Sequence, residues 1–174
     1  MSKILYVLRH AKSSWADATL DDHDRPLQEK GEKRASAQRR YMENHGIRAD
    51  LVLCSTALRA RQTYDIVAPA LGSPQVRYEA GIYEAEPEDI VKMVNGLDNS
   101  YERVLVVGHD PTLHMLVRTL AMTATGDAME RLKRKFPTCG LVTLTFGDAG
   151  WTSVAKGVGH LEDFHVPHDD DPVA

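Results

Sequence analysis

The sequence predicts an α/β fold, a three-layer sandwich with helices on both faces of a mostly parallel central sheet. Short continuous apolar runs, typical of strands buried on both faces, alternate along the chain with segments of helical periodicity. This alternation is the order expected of a parallel sheet with crossover helices. Near the end, two apolar runs flank a Gly-Asp-Ala-Gly turn, which indicates one antiparallel element. We therefore expect a sheet of about six strands, one of them antiparallel.

The predicted elements follow one another without a repeat or a linker. Each strand is an apolar run, and each helix has an apolar stripe on one side. Asp110 and Pro111 are expected to begin one helix as its N-cap and first residue. The predicted strands are 4–8, 50–54, 75–78, 103–109, 141–146 and 151–155, and the predicted helices are 27–45, one from Ser55 or Thr56 to Leu71, 87–97, and one after Asp110.

Length and composition indicate a single globular domain. The 174 residues suffice for one core, which we place at 1–160, followed by an acidic surface tail at 161–174. A net charge of −4 argues against a nucleic-acid partner. The two cysteines, Cys54 and Cys139, form no disulfide framework, and no apolar run reaches the roughly 20 residues that span a bilayer. We expect a cytoplasmic protein with no membrane partner.

Polar side chains follow three of the predicted strands. Arg9 and His10 end the first strand, the segment 55–63 follows the second, and Gly108-His109 end the fourth. The carboxyl ends of parallel strands share one edge of the sheet, where ligands bind. Two of these strands lead into helix N-termini, which favour anions. The sequence therefore predicts a cleft for a dianionic group, most simply a phosphoryl group.

The residue types in this cleft favour phosphoryl transfer through histidine. A histidine nitrogen can attack phosphorus and hold the group covalently, while arginines and a second histidine bind its oxygens. His10 is the better nucleophile because Arg9 precedes it directly, and His109 the better oxyanion donor. Asp110 alone among carboxylates lies at these strand ends, and we give it the capping role. We therefore expect neither a metal nor a cofactor.

Three separated motifs resemble those of the histidine phosphatase superfamily, also called phosphoglycerate-mutase-like. They are Leu8-Arg9-His10-Ala11, the run from Ser55 through Arg59 to Gln62-Thr63, and Gly108-His109. The segments from Arg9 to Trp15 and from Asp24 to Leu27, with Gly31, most resemble the SixA-type phosphohistidine phosphatase branch. The resemblance implies that His10 is the phosphoacceptor and that Arg9, Arg59 and His109 complete the phosphate pocket.

Two positions depart from the family pattern. Ala11 stands where many members have glycine, and we expect only a local adjustment because alanine is also small. Larger members use a carboxylic acid after the third strand as proton donor, and Glu84 lies roughly where that donor would fall. The SixA-type branch is known for a site without an evident donor, so the role of Glu84 stays open.

Three functions remain open at this point. The favoured one is a metal-independent phosphatase that removes phosphate from phosphohistidine on a protein. An alternative is a phosphomonoesterase that acts on a small phosphorylated metabolite with Glu84 as its acid. A module that binds phosphoproteins without turnover is a third possibility, although such a module would need no nucleophile. In the tail, His160, Asp163, His165, His168 and Asp169 match no standard metal-site spacing, so we expect a solvated segment.

Overall fold

A single sheet of seven strands organises residues 2–168, the part of the chain that the computed structural model describes. Its strands are β1 Lys3–Arg9, β2 Leu51–Ser55, β3 Gln75–Glu79, β4 Arg103–Gly108, β5 Ala121–Ala124, β6 Leu141–Phe146 and β7 Gly159–His165. The order across the sheet is β3-β2-β4-β1-β6-β7-β5, in which only β6 runs antiparallel to its neighbours. The predicted α/β class and the single antiparallel strand are confirmed.

Six α-helices cover the two faces of this sheet within the described range. They are α1 Glu29–Asn44, α2 Leu58–Val67, α3 Ala80–Tyr83, α4 Pro87–Asn95, α5 Thr112–Leu120 and α6 Ala128–Arg134. None of them is long and apolar enough to cross a lipid bilayer.

The side chains of β1 explain the three-layer arrangement. Leu5 and Val7 belong to a core with apolar residues of α4, α5 and α6, whereas Tyr6 and Leu8 pack with residues of α1 and α2 on the opposite face. Successive side chains of a strand point to opposite faces, so a strand with a core on both sides must be apolar throughout. The continuous apolar run at the start of the sequence follows from this burial.

The strand order brings three strand ends together. β1 and β4 are parallel neighbours with Arg9 opposite Gly108, and β2 lies on the other side of β4 with Cys54 opposite Val107. The residues that follow β2, β4 and β1 therefore emerge side by side at the carboxyl edge of the sheet, as expected of an open α/β fold.

The predicted count of about six strands is one short. The prediction lacks two strands, β5 and β7, and includes 151–155, which is not a strand. β5 is an edge strand of four residues that pairs only with β7. Met122 and Thr123 in its centre are exposed, so the segment has no apolar run by which a strand could be recognised.

The predicted hairpin is wrong in its second strand. The antiparallel partner of β6 is β7, whereas Trp151–Ser153 form a short 3-10 helix with the Trp151 side chain fully buried. The segment 151–155 is therefore apolar because Trp151 and Val154 pack in the core between the sheet and α4, α5 and α6, and not because it pairs as a strand.

The sheet also continues past residue 160, where we expected the tail to begin. A register shift between Thr143 and Leu144 leaves an extra residue in β7, so that Leu161 and Phe164 are both buried although they are three positions apart. This bulge hides the alternation that normally indicates a strand. Residues 169–174 of the predicted tail lie outside the described part of the chain.

Gly31 in α1 permits a close approach between the helix and the loop that follows β1. A Cβ atom at Gly31 would lie 2.2 Å from the carbonyl oxygen of Lys12, an oxygen that also accepts a hydrogen bond from the Gln28 amide at 3.0 Å. Because the obstacle is backbone, it cannot rotate away. We expect Gly31→Ala to lower the free energy of unfolding by about 1–3 kcal/mol.

Chemical denaturation of the variant and the wild type measures this difference. Gly147→Ala is the matched control, because nothing lies within 4 Å of a Cβ atom at that position. Equal stability of Gly31→Ala and wild type would contradict the close packing of this loop on α1.

Candidate active site

His10 lies immediately after β1, at the carboxyl edge of the sheet. Its amide donates to the carbonyl of Gly108 at 3.0 Å, which continues the pairing of β1 with β4 by one residue. Its side chain is buried, and Nδ1 lies 2.7 Å from the carbonyl oxygen of Ala11. Since a carbonyl only accepts, we assign the proton of neutral His10 to Nδ1. This tautomer leaves a lone pair on Nε2.

The environment of His10 keeps the ring neutral. Burial lowers the pKa of His10 to about 3, and the nearby charges of Arg59 and Arg9 act in the same direction, against the raising effect of the Ala11 hydrogen bond. A neutral imidazole is the form that attacks phosphorus. His10 is therefore neutral at neutral pH, with a lone pair on Nε2.

His109, the residue after β4, faces His10. The two ring centroids are 5.1 Å apart, and Nε2 of His109 lies 2.7 Å from the Ser55 hydroxyl. The Ser55 oxygen accepts from the Ala57 amide at 3.2 Å, and its hydrogen has no other acceptor among the described residues, so we assign that hydrogen to the bond with His109. Nδ1 then carries the proton of the neutral ring. Burial, reinforced by Arg59, lowers the pKa of His109 to about 4.

Arg9 and Arg59 both hydrogen-bond through terminal Nη atoms of the guanidinium and not through Nε. Nη1 of Arg9 donates to the Phe136 carbonyl at 2.8 Å and lies 3.9 Å from the Asp110 carboxylate. Arg59, near the start of α2, donates from Nη1 and Nη2 to the backbone and carboxylate oxygens of Asp22, at 2.6 and 3.0 Å. Both arginines lie beside His10, whose pKa they lower.

Asp110 does not have the capping role that we expected. α5 begins at Thr112, its N-cap residue is Pro111, and no side-chain hydrogen bond caps it. The Asp110 carboxylate turns toward Arg9 instead. Asp110 therefore pairs its charge with Arg9, at the end of the neighbouring strand β1, instead of capping α5.

Three buried nitrogens around His10 lack a hydrogen-bond partner among the described residues. They are Nε of Arg9, Nε of Arg59 and Nδ1 of His109. An unsatisfied buried donor costs about 1–3 kcal/mol, so native proteins keep few of them. Donors on the two arginines and a histidine beside His10 are suited to bind the oxygens of a tetrahedral anion.

Backbone hydrogen bonds fix the segment that carries His10. The Ala11 amide donates to the Thr63 hydroxyl oxygen at 2.9 Å, and that hydroxyl donates to the Arg59 carbonyl at 2.7 Å. On the other side, the Cys139 amide donates to the carbonyls of Arg9 and His10, at 3.1 and 3.0 Å. Thr63 therefore joins the segment that carries His10 directly to the helix that carries Arg59.

The structure brings together four of the five predicted site residues. Glu84 is the exception: it is exposed, follows α3, and takes part in no hydrogen bond or ion pair with His10, Arg9, Arg59 or His109 among residues 2–168. Its proposed role as proton donor stays a prediction.

Sequence reasoning missed two side chains at this site, Asp22 and Tyr83. Asp22 bonds to Arg59, and the Tyr83 hydroxyl donates to Asp22 at 2.6 Å while its ring centroid lies 5.6 Å from that of His109. Asp22 is one of several aspartates in a loop without periodicity, so no sequence signal singles it out. Tyr83 directly precedes Glu84, the residue to which the family pattern drew attention.

The acidic and histidine residues of the predicted tail have separate contacts. Asp163 accepts a hydrogen bond from the Tyr41 hydroxyl, and Nδ1 of His165 lies 2.9 Å from Oε1 of Gln38. His160 bonds through its two ring nitrogens to Thr123 and Thr125. Among residues 2–168, no three His, Cys, Asp or Glu side chains are placed to hold a metal ion.

Curated proteins and solved structures include relatives that match nearly the whole chain. The uncharacterized protein Rv1276c of Mycobacterium tuberculosis is 39% identical over 165 residues, covering 92% of this chain and 99% of that protein. A structure from Nakamurella multipartitia, assigned as a phosphohistidine phosphatase SixA, superposes with a TM-score of 0.83 and 29% identity over 96% of this chain and 97% of that one. One from Agrobacterium tumefaciens with the same assignment gives 0.77 and 28%, over 95% and 98%.

The model of the histidine phosphatase superfamily (branch 1) matches residues 5–95, just over half of the chain. That range contains the first two motifs, with His10 and Arg59, and the third follows on β4. The SixA-type resemblance and the prediction of a phosphatase are confirmed by these relatives. The chain belongs to branch 1 of the histidine phosphatase superfamily and is a phosphatase.

Proposed function

We propose that this phosphatase removes the phosphoryl group from phosphohistidine on a protein, through a covalent phosphohistidine on its own His10. One observation carries the proposal. Nε2 of a buried, neutral His10 lies among Arg9, Arg59 and His109, each of which has a buried nitrogen without a partner among the described residues. This arrangement supports a nucleophile whose target is a tetrahedral anion.

The proposed reaction has two steps. Nε2 of His10 attacks phosphorus in line, and the bond between phosphorus and the substrate histidine breaks. The other ring nitrogen of that histidine carries a proton taken up from solvent, so the group departs as neutral imidazole, and a proton returns to solvent in the second step. Water then attacks the phosphorus bound to His10, which releases inorganic phosphate and restores neutral His10. In both transition states Arg9, Arg59 and His109 donate to the equatorial oxygens, where negative charge is concentrated.

The leaving group is the reason for preferring phosphohistidine. An alkoxide needs a positioned acid, which is worth about 10²–10⁴-fold in rate. Once its other ring nitrogen has taken a proton from solvent, phosphohistidine releases neutral imidazole, whose conjugate acid has a pKa of about 6.5, so this leaving group needs no acid from the enzyme. Glu84 is exposed and, among residues 2–168, forms no hydrogen bond or ion pair with His10, Arg9, Arg59 or His109. A site without a positioned acid favours a substrate whose leaving group needs no proton from the enzyme.

Access to the site also favours a substrate carried by a protein. The connection between β3 and α4 runs only from residue 80 to residue 86, and most of it is the one-turn helix α3. A connection of this length has little material with which to cover the cleft. A phosphohistidine on the surface of another protein can therefore approach His10, and the SixA assignment of the two structural relatives agrees with such a partner.

The role of Glu84 distinguishes this proposal from an esterase that acts on small metabolites. We expect Glu84→Gln to hydrolyse a phosphohistidine-bearing protein within about threefold of the wild-type kcat/KM, because that leaving group gains little from an acid. A panel of phosphohistidine, an aryl phosphate and a sugar phosphate measures the preference. The sugar phosphate, with its alkoxide leaving group, should be the poorest of the three.

Glu88→Gln is the control for this experiment, since Glu88 is an exposed carboxylate at the start of the neighbouring helix α4. Much faster hydrolysis of the sugar phosphate than of phosphohistidine, lost in Glu84→Gln but not in Glu88→Gln, would establish the alternative function.

A further inference from the structure

We propose that Asp22 is a positioning residue, which holds the outer edge of the Arg59 guanidinium so that its Nε–H stays directed at the transferred phosphoryl group. The inference rests on the proposed function, because it assumes that Arg59 binds that group. Asp22 belongs to none of the three motifs and begins the 3-10 helix Asp22–Asp24, in the loop between β1 and α1.

Two contacts to one residue fix the plane of the guanidinium. Nη1 of Arg59 donates to the Asp22 carbonyl at 2.6 Å, and Nη2 donates to Oδ2 at 3.0 Å. A planar fork bound at two points loses its freedom to rotate. The Nε edge of Arg59 stays buried and without a partner among the described residues, so it remains available to an oxygen in the pocket.

Asp22 is itself held from two further directions. Tyr83 donates to Oδ2 at 2.6 Å, and Nε of Arg25 donates to Oδ1 at 3.0 Å. Arg25 is buried, donates to the Ser13 hydroxyl at 2.8 Å, and stacks with its guanidinium carbon 3.5 Å from the ring centroid of exposed Trp15. A chain of side-chain contacts thus runs through this loop from Trp15 to Arg25 and Asp22, and from Asp22 to Arg59 on α2.

These partners keep Asp22 ionised. The Tyr83 hydrogen bond, followed by those from Arg59 and Arg25, holds the pKa of the Asp22 carboxyl well below its usual range. The contact with Arg59 is therefore charge-assisted throughout the pH range in which the protein would work.

The contacts of Asp22 argue against an alternative role as an internal plug of the phosphate pocket. A carboxylate seated in the pocket would accept hydrogen bonds from the inward donors, yet Nε of Arg9, Nε of Arg59 and Nδ1 of His109 all lack a partner among the described residues. The Asp22 side chain is 47% exposed, and its hydrogen bonds are to Tyr83, to Arg25 and to the terminal Nη2 of Arg59 rather than to the three inward nitrogens. It therefore supports the pocket from outside.

The test measures binding of inorganic tungstate, a tetrahedral dianion, by calorimetry in the wild type, Asp22→Ala and Asp22→Asn. We expect Asp22→Ala to weaken binding by about tenfold or more and to lower kcat with phosphohistidine, because Arg59 then keeps only its bond to the backbone carbonyl of residue 22 and its plane is no longer fixed at two points. Asparagine keeps an acceptor oxygen for Nη2, so Asp22→Asn should recover most of the affinity. Asp21→Ala, which removes the same charge from the neighbouring exposed residue, should leave both quantities unchanged.

A second measurement does not depend on the variants folding. The Arg59 Nε–H resonance of the wild-type protein should shift when tungstate is added. Equal tungstate binding by folded Asp22→Ala would overturn the inference, and so would an Arg59 resonance that tungstate leaves unmoved. Tighter binding by Asp22→Ala would overturn it in favour of the plug. Wild-type protein that binds tungstate with the expected shift but does not hydrolyse phosphohistidine would instead overturn the proposed function alone.

Discussion

Replacing His10 with alanine is expected to abolish turnover, lowering kcat by on the order of 10⁴-fold or more. The expectation follows from covalent catalysis, because the pocket keeps its donors in the variant but loses the atom that accepts the phosphoryl group. Nε2 of His10 is the only ring nitrogen of that residue available for attack, since Nδ1 bonds to the Ala11 carbonyl at 2.7 Å. Single-turnover kinetics with a phosphohistidine-bearing protein measure the loss.

His45→Ala is the control for general effects of removing an imidazole. His45 is exposed and caps the carboxyl end of α1. A His10→Ala variant that retains a rate within tenfold of wild type would show that another group is the nucleophile. A wild type without turnover that still binds the phosphorylated protein would instead support the binding module.

The second large effect is expected at Arg59. We expect Arg59→Ala to lower kcat by about 10²–10³-fold, the loss typical of removing one donor that stabilises a developing charge. Arg59→Lys should recover little of it, because lysine keeps the charge but lacks the planar fork that bonds to Asp22 on one edge and leaves Nε available to a phosphoryl oxygen on the other. Steady-state kinetics of the two variants give kcat and KM separately.

Arg61→Ala is the matched control, two residues further along α2. Arg61 is exposed and donates from Nε to the Thr56 carbonyl at 3.0 Å. A similar loss in Arg61→Ala and Arg59→Ala would indicate a general electrostatic effect of α2 rather than a specific contact. Thermal unfolding of each variant separates a damaged fold from a damaged site, because Arg59→Ala also leaves Asp22 without two hydrogen bonds.

The strands that carry the site could be predicted because burial on both faces leaves a clear sequence pattern. β1, β2 and β4 are continuous apolar runs, and each ends where polar side chains begin. β5 and β7 lack this signal: one is a short edge strand with an exposed centre, and the other contains a bulge that breaks its alternation. Edge strands depend on their neighbours more than on their own sequence.

Part of the site lies outside what sequence patterns can reach. His10, Arg9, Arg59 and His109 lie at strand ends or near a helix start, positions that a sequence-based reading can locate. Asp22 reaches the site through a loop whose course is set by tertiary contacts with Arg25 and Tyr83. Asp110 shows the same limit, because its local capping pattern is overridden by Arg9 on the neighbouring strand.

The central claim is that His10 carries the phosphoryl group during turnover. The most direct measurement mixes the enzyme with a substrate labelled on phosphorus and quenches it in alkali, where phosphohistidine is stable. Peptide mapping then locates the label. We predict a label that appears within one turnover, maps to His10, and is lost on further incubation in parallel with release of phosphate. A label on His109 or on any other residue of the enzyme would contradict the account, and so would turnover during which the enzyme carries no label.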